Sequence, residues 1–102
     1  MPTVIVTDLA HAGVPLERIK QFEGAVHQAF HRAAKLAVSL SIGPAGHRPW
    51  TVWLGLQDPE TDRQTITAAI GSGGNHGRVS ATTAKDLEEN LYQRLLEIAK
   101  TL

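Results

Sequence analysis

The chain has 102 residues, with ten Lys+Arg against ten Asp+Glu, five His, two Trp and no Cys. That length fits one domain over residues 1–102, and the missing cysteines exclude a disulfide framework or a thiolate metal site. A formal charge of zero gives no global field to gather nucleic acid or anionic membrane.

Apolar residues make up 42%, too many for disorder, yet no window approaches the roughly 18 unbroken apolar residues of a membrane span. The opening MPTVIVTDLAHAG has neither the basic region nor the apolar core of a signal peptide, so a cytoplasmic location is expected. Thr3–Thr7 (TVIVT) is β-branched throughout and predicts a strand. After a connection of small residues, Pro15 suits the first turn of a helix, where its missing N–H costs nothing. From there Leu16, Ile19, Phe22, Val26, Phe30 and Ala33 follow the 3.6-residue period, predicting a helix to about Leu36. Gly24 weakens that helix and reads as a close packing contact.

Ala37–Gly43 alternates Val38, Leu40 and Ile42 against Ser39 and Ser41. Trp50–Gln57 alternates Trp50, Val52, Leu54 and Leu56 against Thr51, Trp53 and Gln57. Asp58–Arg63 reads as an acidic turn, with Pro59 presetting φ at its second position. Gln64–Ile70 sets Ile66, Ala68 and Ile70 against Thr65 and Thr67. Gly71–Gly77 (GSGGNHG) reads as a glycine-rich loop, and Arg78–Thr82 as a short strand with Val79 and Ala81 inward. The last helix opens with Thr83 as N-cap and Asp86 three residues on, and carries Leu87, Leu91, Leu95, Ile98 and Leu102 on one stripe. The order β-α-β-β-β-β-α predicts an α+β two-layer sandwich, with both helices on one face of a mainly antiparallel sheet. Its open face would carry Ser39, Ser41, Thr51, Trp53, Thr65, Thr67, Ser80 and Thr82.

If the four middle strands form a meander, the connections at Pro44–Pro49 and Gly71–Gly77 share one end of the sheet. That end gathers His47, Arg48, Asn75, His76 and Arg78, with His11 projecting the same way, and suits a phosphate or carboxylate. The other end gathers Asp58, Glu60, Asp62, Asp86, Glu88 and Glu89. The competing reading is plain solvated loops. Glu23, His27 and His31 are spaced i, i+4, i+8 on one helix face; that pattern reads first as a solvated face and second as part of a metal site lacking its remaining ligands. Trp53 on the open face fits an oligomer contact, a stacked base, or a rim residue under a loop, whereas Trp50 is in phase with the core. IGSGGNHG is followed by no GK[ST], no serine sits in a GxSxG elbow, and the carboxylates fall in exposed turns, so no residue is assigned as catalytic and no cofactor is expected.

Met1-Pro2 before an apolar strand resembles the opening of the tautomerase superfamily. IGSGG ahead of a helix containing LYQRLLE is similar to its macrophage-migration-inhibitory-factor branch. That resemblance implies an enzyme with Pro2 as general base once Met1 is removed, and Arg48 or Arg78 holding a carboxylate substrate. RVSATTAKDLEENLYQRL resembles the closing segment of ribosome hibernation factors, whose order is β-α-β-β-β-α. It implies RNA or the ribosome as partner, although those proteins are basic on the facing side and this chain is neutral with an additional strand-like segment. The first expectation is therefore a non-catalytic binding module, engaging an anionic, RNA or protein partner through His47, Arg48, Asn75, His76, Arg78 and the face around Trp53. A Pro2-dependent tautomerase and a self-associating structural or viral assembly subunit are the alternatives.

Overall fold

β-Branched Thr3–Val6 forms strand β1, and the amphipathic segment Leu16–Ala37 forms helix α1, in a computed structural model that describes residues 2–37 and 49–100. Along α1 the residues Ile19, Phe22, Val26, Phe30 and Ala33 are buried, while Leu16 at the start of the stripe stands exposed. Gly24 is not a packing contact: it is exposed, and a Cβ there meets nothing within 4 Å. Strands β2 (Thr51–Asp58), β3 (Asp62–Ser72) and β4 (Asn75–Ala81) follow, then helix α2 (Ala84–Ala99). At its start the Thr83 hydroxyl accepts the Asp86 N–H at 3.1 Å, closing the expected N-cap.

The sheet has the order β1-β2-β3-β4, with β1 parallel to β2 and the other pairs antiparallel. It is an α+β fold with a mixed sheet. The strand expected over Ala37–Gly43 lies outside the described residues except for Ala37, which belongs to α1. The glycine-rich loop expected over Gly71–Gly77 is instead mostly strand. Cross-strand pairing of Ile70 with Gly77, Gly71 with His76 and Ser72 with Asn75 carries the ladder to a two-residue turn, Gly73–Gly74. Gly73 has φ +60°, the left-handed value a tight hairpin needs at its first central position. Main-chain pairing with β3 thus outweighs the low strand propensity of glycine.

His11 is also corrected. Because β1 runs parallel to β2, the connection after β1 emerges where β2 ends, beside the acidic turn rather than beside His76. Arg63 Nη1 donates to the Ala12 carbonyl at 3.1 Å and ties that connection to the start of β3.

Alternation places the core. Val52 and Leu54 of β2 and Ile66, Ala68 and Ile70 of β3 face inward and join Phe22, Val26, Phe30, Leu87, Leu91 and Leu95 in one cluster. Trp50 is in it too, edge-on to Phe30 at a ring distance of 5.9 Å. The helices pack side by side on that face. Arg32 of α1 reaches Glu88 at 2.9 Å and Glu89 at 3.0 Å on α2, with its guanidinium 4.0 Å from the centre of the Tyr92 ring. The opposite face of the sheet bears neither helix.

Candidate functional site

The period of two that buries Ile66, Ala68 and Ile70 turns Thr65, Thr67, Ala69 and Gly71 to the open face. Register then assembles rows across the four strands. One row reads Ile5, Trp53, Ala69, Arg78; beside it run Thr51, Gly71, His76 on one side and Gly55, Thr67, Ser80 on the other. The centre of the face is floored by small residues, and its bulk stands in the first row.

Two glycines shape this surface. A Cβ on Gly71 would lie 3.5 Å from Cζ3 of Trp53 and 3.7 Å from Nδ1 of His76, so both rings lean over that glycine. A Cβ on Gly55 would lie 2.7 Å from the Thr7 hydroxyl, which donates to the Leu54 carbonyl at 2.8 Å. With the floor so low, a groove of about 560 Å³ opens between Trp53 and Arg78, lined also by Thr7, Gly55, Thr67 and Ser80. A second hollow of about 370 Å³ lies on the other flank of the row, bounded by Trp53, Ala69, His76, Gly77, Arg78 and Arg94. Arg94 comes from α2: its stem crosses Gly77, where a Cβ would meet Nε at 3.0 Å.

Trp53 is 41% exposed and its neighbour Ile5 42%. The Thr67 and Ser80 hydroxyls bond each other at 2.7 Å. Arg78 is exposed and has no ion-pair partner among the described residues. Among the described residues no carboxylate lines either hollow. The surface therefore presents a flat aromatic, hydroxyls and an uncompensated guanidinium, a set suited to an anion carried on something planar or apolar.

The expected site residues divide. Trp53, His76 and Arg78 come together on the sheet face, where Arg78 sits within β4 opposite Ala69 rather than in a loop. Asn75 is drawn into the hairpin, its amide donating to the Ser72 carbonyl at 3.3 Å, and lines a different hollow with Gly74 and Glu97. His47 and Arg48 lie outside the described residues. Pro2 is buried before β1, at the sheet edge opposite Arg78, so three strand spacings (roughly 14 Å) separate the strands that carry them. Glu23, His27 and His31 share a face of α1, and among the described residues no three such side chains converge on a metal position.

At the far end, the acidic turn is organised by its own hydroxyls. The Thr61 hydroxyl, then the Thr61 and Glu60 N–H groups, hold Asp58 below the usual carboxylate range. The Thr65 hydroxyl and the Gln64 N–H do the same for Asp62. Arg18 bridges the Gln64 and Thr82 carbonyls at 2.5 and 2.7 Å, so this end is not purely acidic.

Ile5, Ala69 and Arg94 were not singled out from sequence. Parity marks Ala69 as outward, since it alternates with Ala68 and Ile70. Arg94 carries no sequence signal, because its position depends on Gly77 passing beneath it. In comparisons with known proteins the chain matches no family model, no curated protein and no solved structure.

Proposed function

We propose that the protein is a non-catalytic binding module that takes an anionic partner on the open face of its sheet. The observation that carries this reading is the half-exposed Trp53, resting on Gly71 two strands from Arg78, which has no ion-pair partner among the described residues, on a face whose hollows none of the described carboxylates lines. A cytoplasmic setting belongs to the same proposal; no described helix is long and apolar enough to cross a membrane. The test is a two-dimensional amide NMR titration with polyglutamate, heparin and oligouridylate. Shifts confined to the Trp53 indole, Ala69 and Arg78, and removed by Arg78→Glu, are the expected result. Shifts on the outer faces of the helices, or none with any polyanion, would sink it.

Self-association through the same face is the second reading, favoured by the exposed Ile5–Trp53 pair. Sedimentation equilibrium decides it: an oligomer that becomes a monomer on Trp53→Ala would displace the first reading.

A further inference from the structure

We infer that the occupant of the Trp53–Arg78 row is single-stranded nucleic acid, with one base stacked on Trp53 and backbone phosphates on Arg78 and Arg94. This rests on the binding-module reading and adds the class of partner. Three features of the face lead to it.

The first is the presentation of Trp53. Its ring rests against Gly71 and is 41% exposed, bordering an open hollow rather than closed into a pocket. Every base has a π face, so such a platform accepts bases without regard to sequence. A base inside a duplex is already stacked on both sides and has no face to give, so the strand must be single.

The second is the placement of cations. Arg78 lies two strands from Trp53, roughly 10 Å at the usual strand spacing, within reach of a phosphate near the stacked nucleotide. Past Arg78 and His76 the surface turns over the β4 edge to Arg94, whose exposed head pairs with Glu97 at 3.0 Å. Glu97 is the carboxylate paired with that guanidinium among the described residues, and it lines the adjoining hollow with His76. The cations thus form a short track across the edge strand, beginning at the aromatic.

The third is the form of the hollows. Both are open troughs, and a small ligand would stay largely in water there, unlike one seated in a closed pocket. A polymer segment recovers contact by running through both. The hydroxyls of Thr67 and Ser80 on the floor offer hydrogen bonds to sugar or phosphate oxygens. An acidic peptide satisfies Arg78 equally but leaves the Trp53 face without a planar complement.

The experiment is fluorescence anisotropy of labelled octauridylate and octathymidylate between 25 and 200 mM salt, with the full chain, Trp53→Ala, Trp53→Phe and Arg78→Ala. Circular dichroism confirms that each variant is folded. Stacking predicts that Trp53→Ala weakens binding about 5- to 150-fold and that Trp53→Phe retains most of it. Two phosphate contacts predict a log–log salt slope of about −1.4, which Arg78→Ala reduces by about 0.7. Equal binding of both oligomers supports a single strand of either sugar, and preference for octauridylate assigns RNA. Absence of binding to both, or an unchanged affinity in Trp53→Ala, overturns the inference. Should octaglutamate bind instead, with sensitivity to Arg78→Glu, the nucleic-acid inference falls and the binding-module reading survives. Should no anion engage the face, both fall.

Discussion

Ala68 and Ala69 are adjacent in β3 and identical in chemistry, but the sheet sends them to opposite worlds. Ala68 is fully buried in the core cluster and pairs across the sheet with Leu54 and Val79. Ala69 lines both hollows of the open face between Trp53 and Arg78. Replacing each by Leu adds three carbons to a different medium. At position 68 those carbons enter an interior packed to about three-quarters of its volume, so neighbours must leave their rotamers, at about 1–3 kcal/mol. For a domain of this size that lowers the melting midpoint by about 4–24 °C. At position 69 the added carbons extend into an open groove of about 560 Å³ and displace only water. Stability there should stay within about 0.5 kcal/mol of the parent. The leucine now stands between the aromatic and the guanidinium, so affinity for an oligonucleotide should fall by about fivefold or more, as when one stacked base is lost. Urea denaturation followed by far-ultraviolet circular dichroism gives the stabilities, and anisotropy gives the affinities. A harmless Ala68→Leu would mean that the register is slipped by one residue, since a slip exchanges the two faces. An Ala69→Leu as damaging as Ala68→Leu would mean that the open face is covered, which would refute the Trp53–Arg78 site.

Other consequences follow from particular contacts. Gly73 holds φ +60°, so Gly73→Val should cost about 1–2 kcal/mol in urea denaturation, whereas Gly74→Ala, with open space at its Cβ, should cost far less. Gly55→Ala forces the Thr7 hydroxyl from the Leu54 carbonyl and should cost about 0.5–1.5 kcal/mol; in a Thr7→Ala background the same change should be nearly neutral, and full additivity in that double-mutant cycle would refute the contact. Asp58 and Asp62 titrate below their unfolded values, so the stability they contribute is present above the ordinary carboxylate range and is lost as pH falls through the folded values. Thr61→Val and Thr65→Val should therefore raise the carboxyl titration midpoints seen by NMR and move acid unfolding to higher pH; unchanged midpoints would show that the hydroxyl bonds do not hold those carboxylates.

The features legible in sequence were those set by local periodicity. Thr65 and Thr67 against Ile66, Ala68 and Ile70 declare a two-faced strand, and the same parity puts Arg78 on the side of Ser80. The helical stripe of Leu87, Leu91, Leu95 and Ile98 is readable for the same reason, and all four are buried. What escaped depends on partners distant in the chain. Glycines at 71 and 77 look like loop until β3 and β4 pair from Ile66–Ala81 to Ser72–Asn75. The end of the sheet at which His11 lies is not legible, because no local feature of TVIVT says that its strand lies parallel to β2. Arg94 joins the site only through the missing side chain of Gly77.

A neutral chain can still offer a cationic site if its other cations are engaged, and the described arginines follow that division. Arg18 holds the Gln64 and Thr82 carbonyls, Arg63 holds the Ala12 carbonyl, and Arg32 spans Glu88 and Glu89. Arg94 is paired with Glu97. The contacts of Arg18, Arg63 and Arg32 fasten one element to another, so releasing those arginines to an outside anion would sacrifice a tertiary bond, whereas the Arg94–Glu97 pair is an exposed contact within α2. Arg78 has no such bond to give up. It stands on the side of the sheet away from the helices, and the nearest carboxylate-rich turn is at the other end of β3. The parallel β1–α1–β2 unit is what makes this so, because it carries the first connection to Arg63 at the acidic end. The face with Trp53 is left with a guanidinium whose charge can be met only from outside the described fold.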